Sequence, residues 1–263
     1  MKKEIHVFFT ALMFYTRIPC PKWVNHDAAL LNLSIRYFPL IGWIVGLICA
    51  VILYLSALLF SPVVAIILSI VVSILLTGAF HEDGFADTCD AFGGGWTRQQ
   101  ILKIMKDSRL GTYGVTGVFL LLSLKIALIY EIYTFKILSI VTLATILITV
   151  HSVSRFIAST FVFTHDYARD SNDSKSKPVA VRTGVGNLLT GFIWSLLPLT
   201  YLAYLEGNWW LFLIYLPVYS GKILLARYYT KWIGGYTGDC LGATQQVSEI
   251  ICYAFLIVLW KFA

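Results

Sequence analysis

The strongest constraint on this chain is the stretch at residues 37–80, which carries no charged side chain over forty-four positions. A soluble domain has nowhere to put such a run. A membrane-spanning helix needs ~20 mostly apolar residues, so the stretch is too long for one span. Ser61-Pro62 stands near its middle, and proline favours the first position of a helix, which divides the run into 37–60 and 62–80. Further apolar segments at 114–131, 137–162, 187–205, 209–227 and 246–262 bring the expected number of spans to seven. The segment at 209–227 is the most interrupted, by Pro217, Gly221, Lys222 and Arg227. The fold class expected is all-α, a polytopic membrane helical bundle forming one integral membrane domain over residues 1–263.

Composition agrees. The chain is 58% hydrophobic and 13% charged, against ~45–50% and ~25% in soluble proteins. That excludes a disordered chain and argues against a soluble globular enzyme, whose surface such a composition would leave apolar. At the N-terminus, Lys2 and Lys3 resemble the start of a signal peptide. Glu4, Thr10 and Arg17 interrupt the apolar run behind them, and no small-residue cleavage site follows. Residues 4–18 are therefore expected as a retained helix lying at the membrane interface. The five cysteines are widely spaced with no CxxC, which implies neither a disulfide framework nor a zinc site.

Lys and Arg set the orientation. Lys136 and Lys261 fall on one side of the membrane, and Lys125, Arg155 and Lys222 fall within spans. The other fifteen of the twenty lie in 1–36, 81–113, 163–186 and 227–245. Those segments are expected to be cytoplasmic, with the N-terminus. The net charge of +6 is scattered between apolar runs. It suits a basic membrane face or phosphate handling better than nucleic acid.

The polar segments carry the chemistry. HEDGFADTCDAFGGG at 81–95 places Asp83, Asp87 and Asp90 at i, i+4, i+7, on one helix face. Three like charges on one face repel unless a cation joins them, and carboxylate oxygens suit Mg²⁺. Gly93, Gly94 and Gly95 allow the backbone to approach a ligand. MKDSRLGTYG at 105–114 adds Lys106 and Arg109 as phosphate partners, with Gly111 and Gly114 beside the next span. GGYTGDCLGATQQ at 234–246 supplies Gly238, whose backbone suits an anion, and Asp239, a further carboxylate. Acids for metal and bases for phosphate in one segment suggest a phosphoanhydride substrate. Arg155 within a span needs a buried partner, a bound anion or a route to the interface. His151 and Lys125 read as interior polar or snorkelling residues, while Glu249 lies near the start of the last span.

Taken together, TRIP at 16–19, FPLIG at 38–42, the acidic block at 81–95, MKDSRLGTYG at 105–114, SR at 154–155, YAR at 167–169 and GGYTGDCLGA at 234–243 resemble the cobalamin synthase family, the adenosylcobinamide-GDP ribazoletransferases. The pieces occur in that family's order and span nearly the whole chain. Two positions depart from its pattern. Glu82 stands where an apolar residue is usual, and Gln246 where a Glu often follows. The resemblance implies an inner-membrane enzyme that joins α-ribazole, or its 5′-phosphate, to adenosylcobinamide-GDP and releases GMP, with Mg²⁺ as cofactor. On that reading Asp83, Asp87 and Asp90 hold the metal. Asp90 or Asp239 takes the hydroxyl proton, and Arg109 and Lys106 stabilise phosphate charge. Gly93, Gly94, Gly95, Gly111, Gly238 and Arg155 line the nucleotide. A homo-oligomer and association with other enzymes of the cobalamin pathway are both compatible with it. Two alternatives stand beside it. A CDP-alcohol phosphotransferase would carry Ala-Arg after DG-x-x, where this chain has Asp87-Thr88. A transporter would favour repeats and polar groups at midplane.

Overall fold

A computed structural model describes residues 2–24, 27–135, 139–168 and 184–262. Arg169, Lys175, Lys177 and Arg182, and with them most of the expected loop 163–186, lie outside the described residues. So does Lys136. Within the described residues the chain is helical, and the sole extended pairing is an isolated bridge between Tyr167 and Tyr236.

The chain opens with α1 (Lys2–Tyr15), ending three residues before the expected boundary. The Thr16 hydroxyl bonds back to Leu12 O at 2.6 Å, and Arg17 N then donates to Leu76 O at 2.7 Å. α1 packs on α2 (Ala28–Ser34) and on the first span, α3 (Phe38–Ala57). Pro62 opens α4 (Pro62–Thr77) as its position after Ser61 predicts. The expected continuous span 62–80 is not what forms. Gly78 and Ala79 both adopt left-handed backbone, with φ of 66° and 58°. The chain turns by 89° into α5 (Phe80–Gly94).

α6 (Arg98–Ile104) is capped by the Thr97 hydroxyl, which accepts from Gln100 N. The long helices α7 (Thr112–Phe135) and α8 (Ile140–Ser159) follow, and α8 is extended by the short turn α9 (Phe161–Thr164). Ser139 caps α8 by accepting from Thr142 N. α10 (Val185–Glu206), a 3₁₀ segment at Trp209–Ile214, α11 (Tyr215–Ile233) and α12 (Gly238–Phe262) complete the chain. Among the described residues, six helical segments are long and apolar enough to cross a membrane, and the bent pair α4–α5 makes a seventh if taken as one span.

α8 is the hub. All but a few of its side chains are buried, and it packs on α3, α10 and α12. The lipid-compatible residues lie on the outer faces: Leu59, Phe119, Leu224 and Leu75 are among the exposed large apolar side chains.

Two of the polar segments expected as loops are mostly helix. Residues 80–94 form α5, wedged against α7 and α12, with Gly84, Ala86, Asp90 and Ala91 buried. In the segment 227–245, α11 continues to Ile233 and α12 starts at Gly238, which leaves a four-residue connection. α5 and α12 cross where neither has a side chain. A Cβ on Gly84 would meet Asp239 O at 3.0 Å and Asp239 Cα at 3.1 Å, and one on Gly242 would meet His81 O at 3.1 Å. Gly84→Val therefore forces the crossing apart and should cost about 1–3 kcal/mol. Thermal unfolding of the detergent-solubilised protein should show that loss. Gly94→Ala, whose nearest neighbour would be Ile104 Cδ1 at 3.6 Å, should leave the midpoint nearly unchanged.

Candidate active site

The site is built on α5. Its first half faces inward and its second half approaches the start of α7. Asp83 is exposed, Asp87 is half-buried and Asp90 is buried. Asp83 and Asp87 stand one turn apart, a spacing that brings Cβ atoms to about 5–6 Å. The crossing at Gly84 sets the first turn of α12, and with it Asp239, directly against this part of α5. Asp239 is itself half-buried, and Thr237 Oγ1 donates to its Oδ2 at 3.4 Å.

Asp90 is placed differently from the other two carboxylates. Its Oδ2 accepts from Gly111 N at 2.7 Å and its Oδ1 from Gly114 N at 2.8 Å. Both are free N–H groups at the start of α7, where a helix concentrates positive potential. Asp90 is thus a cap joining α5 to α7. No group of three or more His, Cys, Asp or Glu side chains converges as a metal cage among the described residues. Of the three expected carboxylates, Asp83 and Asp87 stand one turn apart on α5 and Asp90 bonds the start of α7, while Asp239 lies on the abutting helix. Mg²⁺ commonly takes only one or two carboxylates, the rest of its shell being water and substrate phosphate. Asp83 and Asp87 fit that pattern.

The glycines expected to line the nucleotide mostly serve packing. The space beside Gly93 is filled by the Tyr113 ring and that beside Gly95 by Ile101, while Gly111 leaves room for the Asp90 carboxylate at 2.5 Å. Gly94 stays open apart from Ile104. Gly238 opens α12 and borders a small aromatic pocket of about 30 Å³. Phe14, Tyr15, Phe38, Phe80 and His81 form its walls.

Lys106 is exposed in the 105–111 loop. In the same loop Arg109 grips Asp107 through two parallel hydrogen bonds, Nε to Oδ1 at 3.0 Å and a terminal N–H to Oδ2 at 2.6 Å. Arg109 holds the Asp107 carboxyl well below the usual aspartate range, at about 2.

Arg155 lies elsewhere. It is 1% exposed, and its guanidinium donates to His151 O at 2.9 Å, sits 3.6 Å from Glu249 and covers the Phe38 ring. It is part of a buried polar network. Glu249 is the centre of that network. Lys125 Nζ donates to Glu249 Oε2 at 2.8 Å and to Gln246 Oε1 at 2.6 Å. His151 Nδ1 lies 2.8 Å from Glu249 Oε1 and 3.1 Å from a terminal nitrogen of Arg155, and its tautomer decides whether it donates to the first or accepts from the second. Gln245 Nε2 donates to Glu249 Oε1 at 2.5 Å. Gln246 Nε2 then donates to Glu82 Oε1 at 2.9 Å. The two positions that depart from the resembled family's pattern, Glu82 and Gln246, are thus hydrogen-bonded to each other. Two acids and two bases balance across α5, α7, α8 and α12. Sequence reading took these residues one at a time; only their shared confinement within apolar spans hinted at a common partner.

Fold and site together define a multi-spanning helical membrane protein with an acidic helix buried against two spans. The chain belongs to the cobalamin-5-phosphate synthase family, whose profile matches residues 7–257. It is 43% identical to the adenosylcobinamide-GDP ribazoletransferase of Shewanella frigidimarina over 98% of this chain and 96% of that one. It is 45% identical to the protein of that name from Shewanella oneidensis, over 98% and 95% respectively. No solved structure matches it.

Two outcomes follow. Lys125→Met leaves a buried acid short of its main counter-charge and should cost about 3–5 kcal/mol, with much of it restored in Lys125→Met/Glu249→Gln. Unfolding midpoints of the three proteins test this, and an unaltered Lys125→Met would remove the pair from the stabilising set. Asp107 should titrate near 2 by carboxyl NMR, and near the ordinary ~3.9 in Arg109→Gln. Its folded value lies below its unfolded one. Its contribution is therefore complete above the unfolded value and is lost as pH falls through about 2. Because the pair is exposed, that contribution is small.

Proposed function

We propose that this chain transfers the adenosylcobinamide-phosphate group of adenosylcobinamide-GDP to α-ribazole or its 5′-phosphate. GMP is released, and adenosylcobalamin or its 5′-phosphate is formed. The observation that carries the reading is the crossing of α5 and α12 at Gly84 and Gly242, which sets Asp239 against the Asp83–Asp87 turn. Full-length similarity to proteins named for this reaction supports it. A CDP-alcohol phosphotransferase is disfavoured by Asp87, and a transporter by the family to which the chain belongs.

In the reaction, a ribose hydroxyl oxygen other than the 5′ one, free in both α-ribazole and its 5′-phosphate, forms a bond to the cobinamide-linked phosphorus. The anhydride bond to GMP breaks, and the hydroxyl proton leaves. Asp83 and Asp87 would hold Mg²⁺, which when bound neutralises charge on a pyrophosphate and its leaving group. Asp239 accepts the hydroxyl proton, since both oxygens of Asp90 are engaged by α7. Lys106 and Arg109 sit in the loop between α6 and α7, where they face phosphate charge once Arg109 exchanges Asp107 for substrate. The aromatic pocket beside Gly238 offers flat apolar surfaces of the kind a heteroaromatic base stacks on. The N-terminus and the α5–α7 region face the cytoplasm of the cell in which the protein resides, at its inner membrane, by the distribution of Lys and Arg.

The test is reconstitution in liposomes with adenosylcobinamide-GDP, α-ribazole and Mg²⁺, following GMP and cobamide together. Asp83→Asn and Asp87→Asn should each lose at least ~100-fold in turnover and demand more Mg²⁺. Asp90→Asn should lower stability by about 1 kcal/mol, as loss of a helix cap does, without shifting the Mg²⁺ requirement. Coincident release of both products, dependent on Mg²⁺, supports the assignment; turnover by Asp83→Asn equal to wild type at all Mg²⁺ levels overturns the metal roles.

A further inference from the structure

A second concentration of charge lies away from α5, on the outward side of α11. Between α9 and α11 runs a groove of about 550 Å³. Its walls hold Lys222, Arg227 and Lys231 of α11, with His165 just past α9. Among the described residues no carboxylate is part of its wall, the nearest in sequence being Asp166 beside His165. Lys222 is 2% exposed, yet among the described residues its ammonium meets no acid. It donates to Thr164 Oγ1 at 2.8 Å and lies over the rings of Phe161 and Tyr219, at 4.7 and 5.4 Å. A cation nearly removed from solvent, without a counter-ion, is costly unless an anion completes its shell.

The groove is graded along its length. Arg227, Thr230 and Lys231 gather towards the Ile233 end of α11; Tyr219 and Ile223 form the wall one to three turns earlier, and Lys222 stands between those two with its ammonium turned to Thr164 at the end of α9. From Ile223 to Lys231 is about 12 Å along the helix. Trp209–Ile233 is long and apolar enough to cross a membrane, so the medium beside this face of α11 is lipid. A ligand that fits such a gradient has a phosphate at one end and hydrocarbon at the other.

We propose that this groove binds one anionic phospholipid, its phosphodiester held by Lys222, Arg227 and Lys231 and its chains laid over Ile223 and Tyr219. The site is separate from the acidic helix and independent of the reaction assigned above. A free phosphate would use the cations but not the apolar wall.

Native mass spectrometry of the whole chain in detergent tests this, with dioleoyl phosphatidylglycerol, dioleoyl phosphatidylcholine and inorganic phosphate as the three probes. Phosphatidylglycerol should bind more tightly than phosphatidylcholine by at least about fivefold, and each cation removed should weaken it by about that factor. Arg227→Gln/Lys231→Gln, at exposed positions, should fold normally and lose that preference; Lys222→Gln should lose it as well if it folds. Lys2→Gln/Lys3→Gln, which removes the same charge elsewhere, should keep it. Equal binding of the two lipids overturns the proposal, as does an equal loss in the Lys2/Lys3 variant. Release of phosphatidylglycerol by millimolar inorganic phosphate would show a soluble-anion site and overturn it too.

Discussion

A bilayer offers no water to a buried polar group, so every such group within it must be satisfied by the protein. Glu249 is where this constraint presses hardest. It is 1% exposed, takes hydrogen bonds from α7 and its own helix, and faces His151 and Arg155 of α8. Gln246 carries the network one step further, to Glu82 on α5. Each helix in this set gives up some freedom to slide or rotate, since a small shift would strand a charge in an apolar surrounding. The acidic helix is held at its deep end by this network and at its far end by Asp90, which caps α7. Between those two anchors lie Asp83 and Asp87.

Such an arrangement separates holding from reacting. Glu82, through one oxygen, and Asp90, through both, fix α5, while Asp83 and Asp87 are exposed and half-buried respectively. Preorganised charge is most useful when the groups bearing it do not relax as the reaction proceeds. The glycines at 84 and 242 serve the same end, because they let α12 bring Asp239 to backbone distance from α5.

Much of this was legible in the residues. Apolar run lengths locate the spans, because hydrocarbon thickness fixes helix length, although α11 runs six residues past its expected end and α12 starts eight before its expected start. Pro62 marks its helix start, and the 83–87 spacing marks one face of a helix. Other features were hidden for physical reasons. Residues 80–94 look polar enough for a loop, and only their packing against α7 and α12 shows why a helix is favoured there. A glycine in sequence does not reveal whether its missing Cβ makes room for a ligand or for a neighbouring helix; at Gly93, Gly95 and Gly111 it is the protein that fills the gap. Arg155 and Asp90 each announce a need for a partner, but the partners are distant in sequence. Glu82 and Gln246 look incidental singly and make sense only as a contact.

The sharp turn at Gly78–Ala79 also concerns the membrane itself. α4 has 16 residues, about 24 Å of helix, against a hydrocarbon layer of ~30 Å. Lipid beside α4 must thin to match so short a helix. The helix carrying Asp83 and Asp87 begins only two residues beyond the short one. Bilayer thickness therefore bears mechanically on the acidic helix, and a change of acyl-chain length acts on the site through α4 without touching a single ligand-binding group.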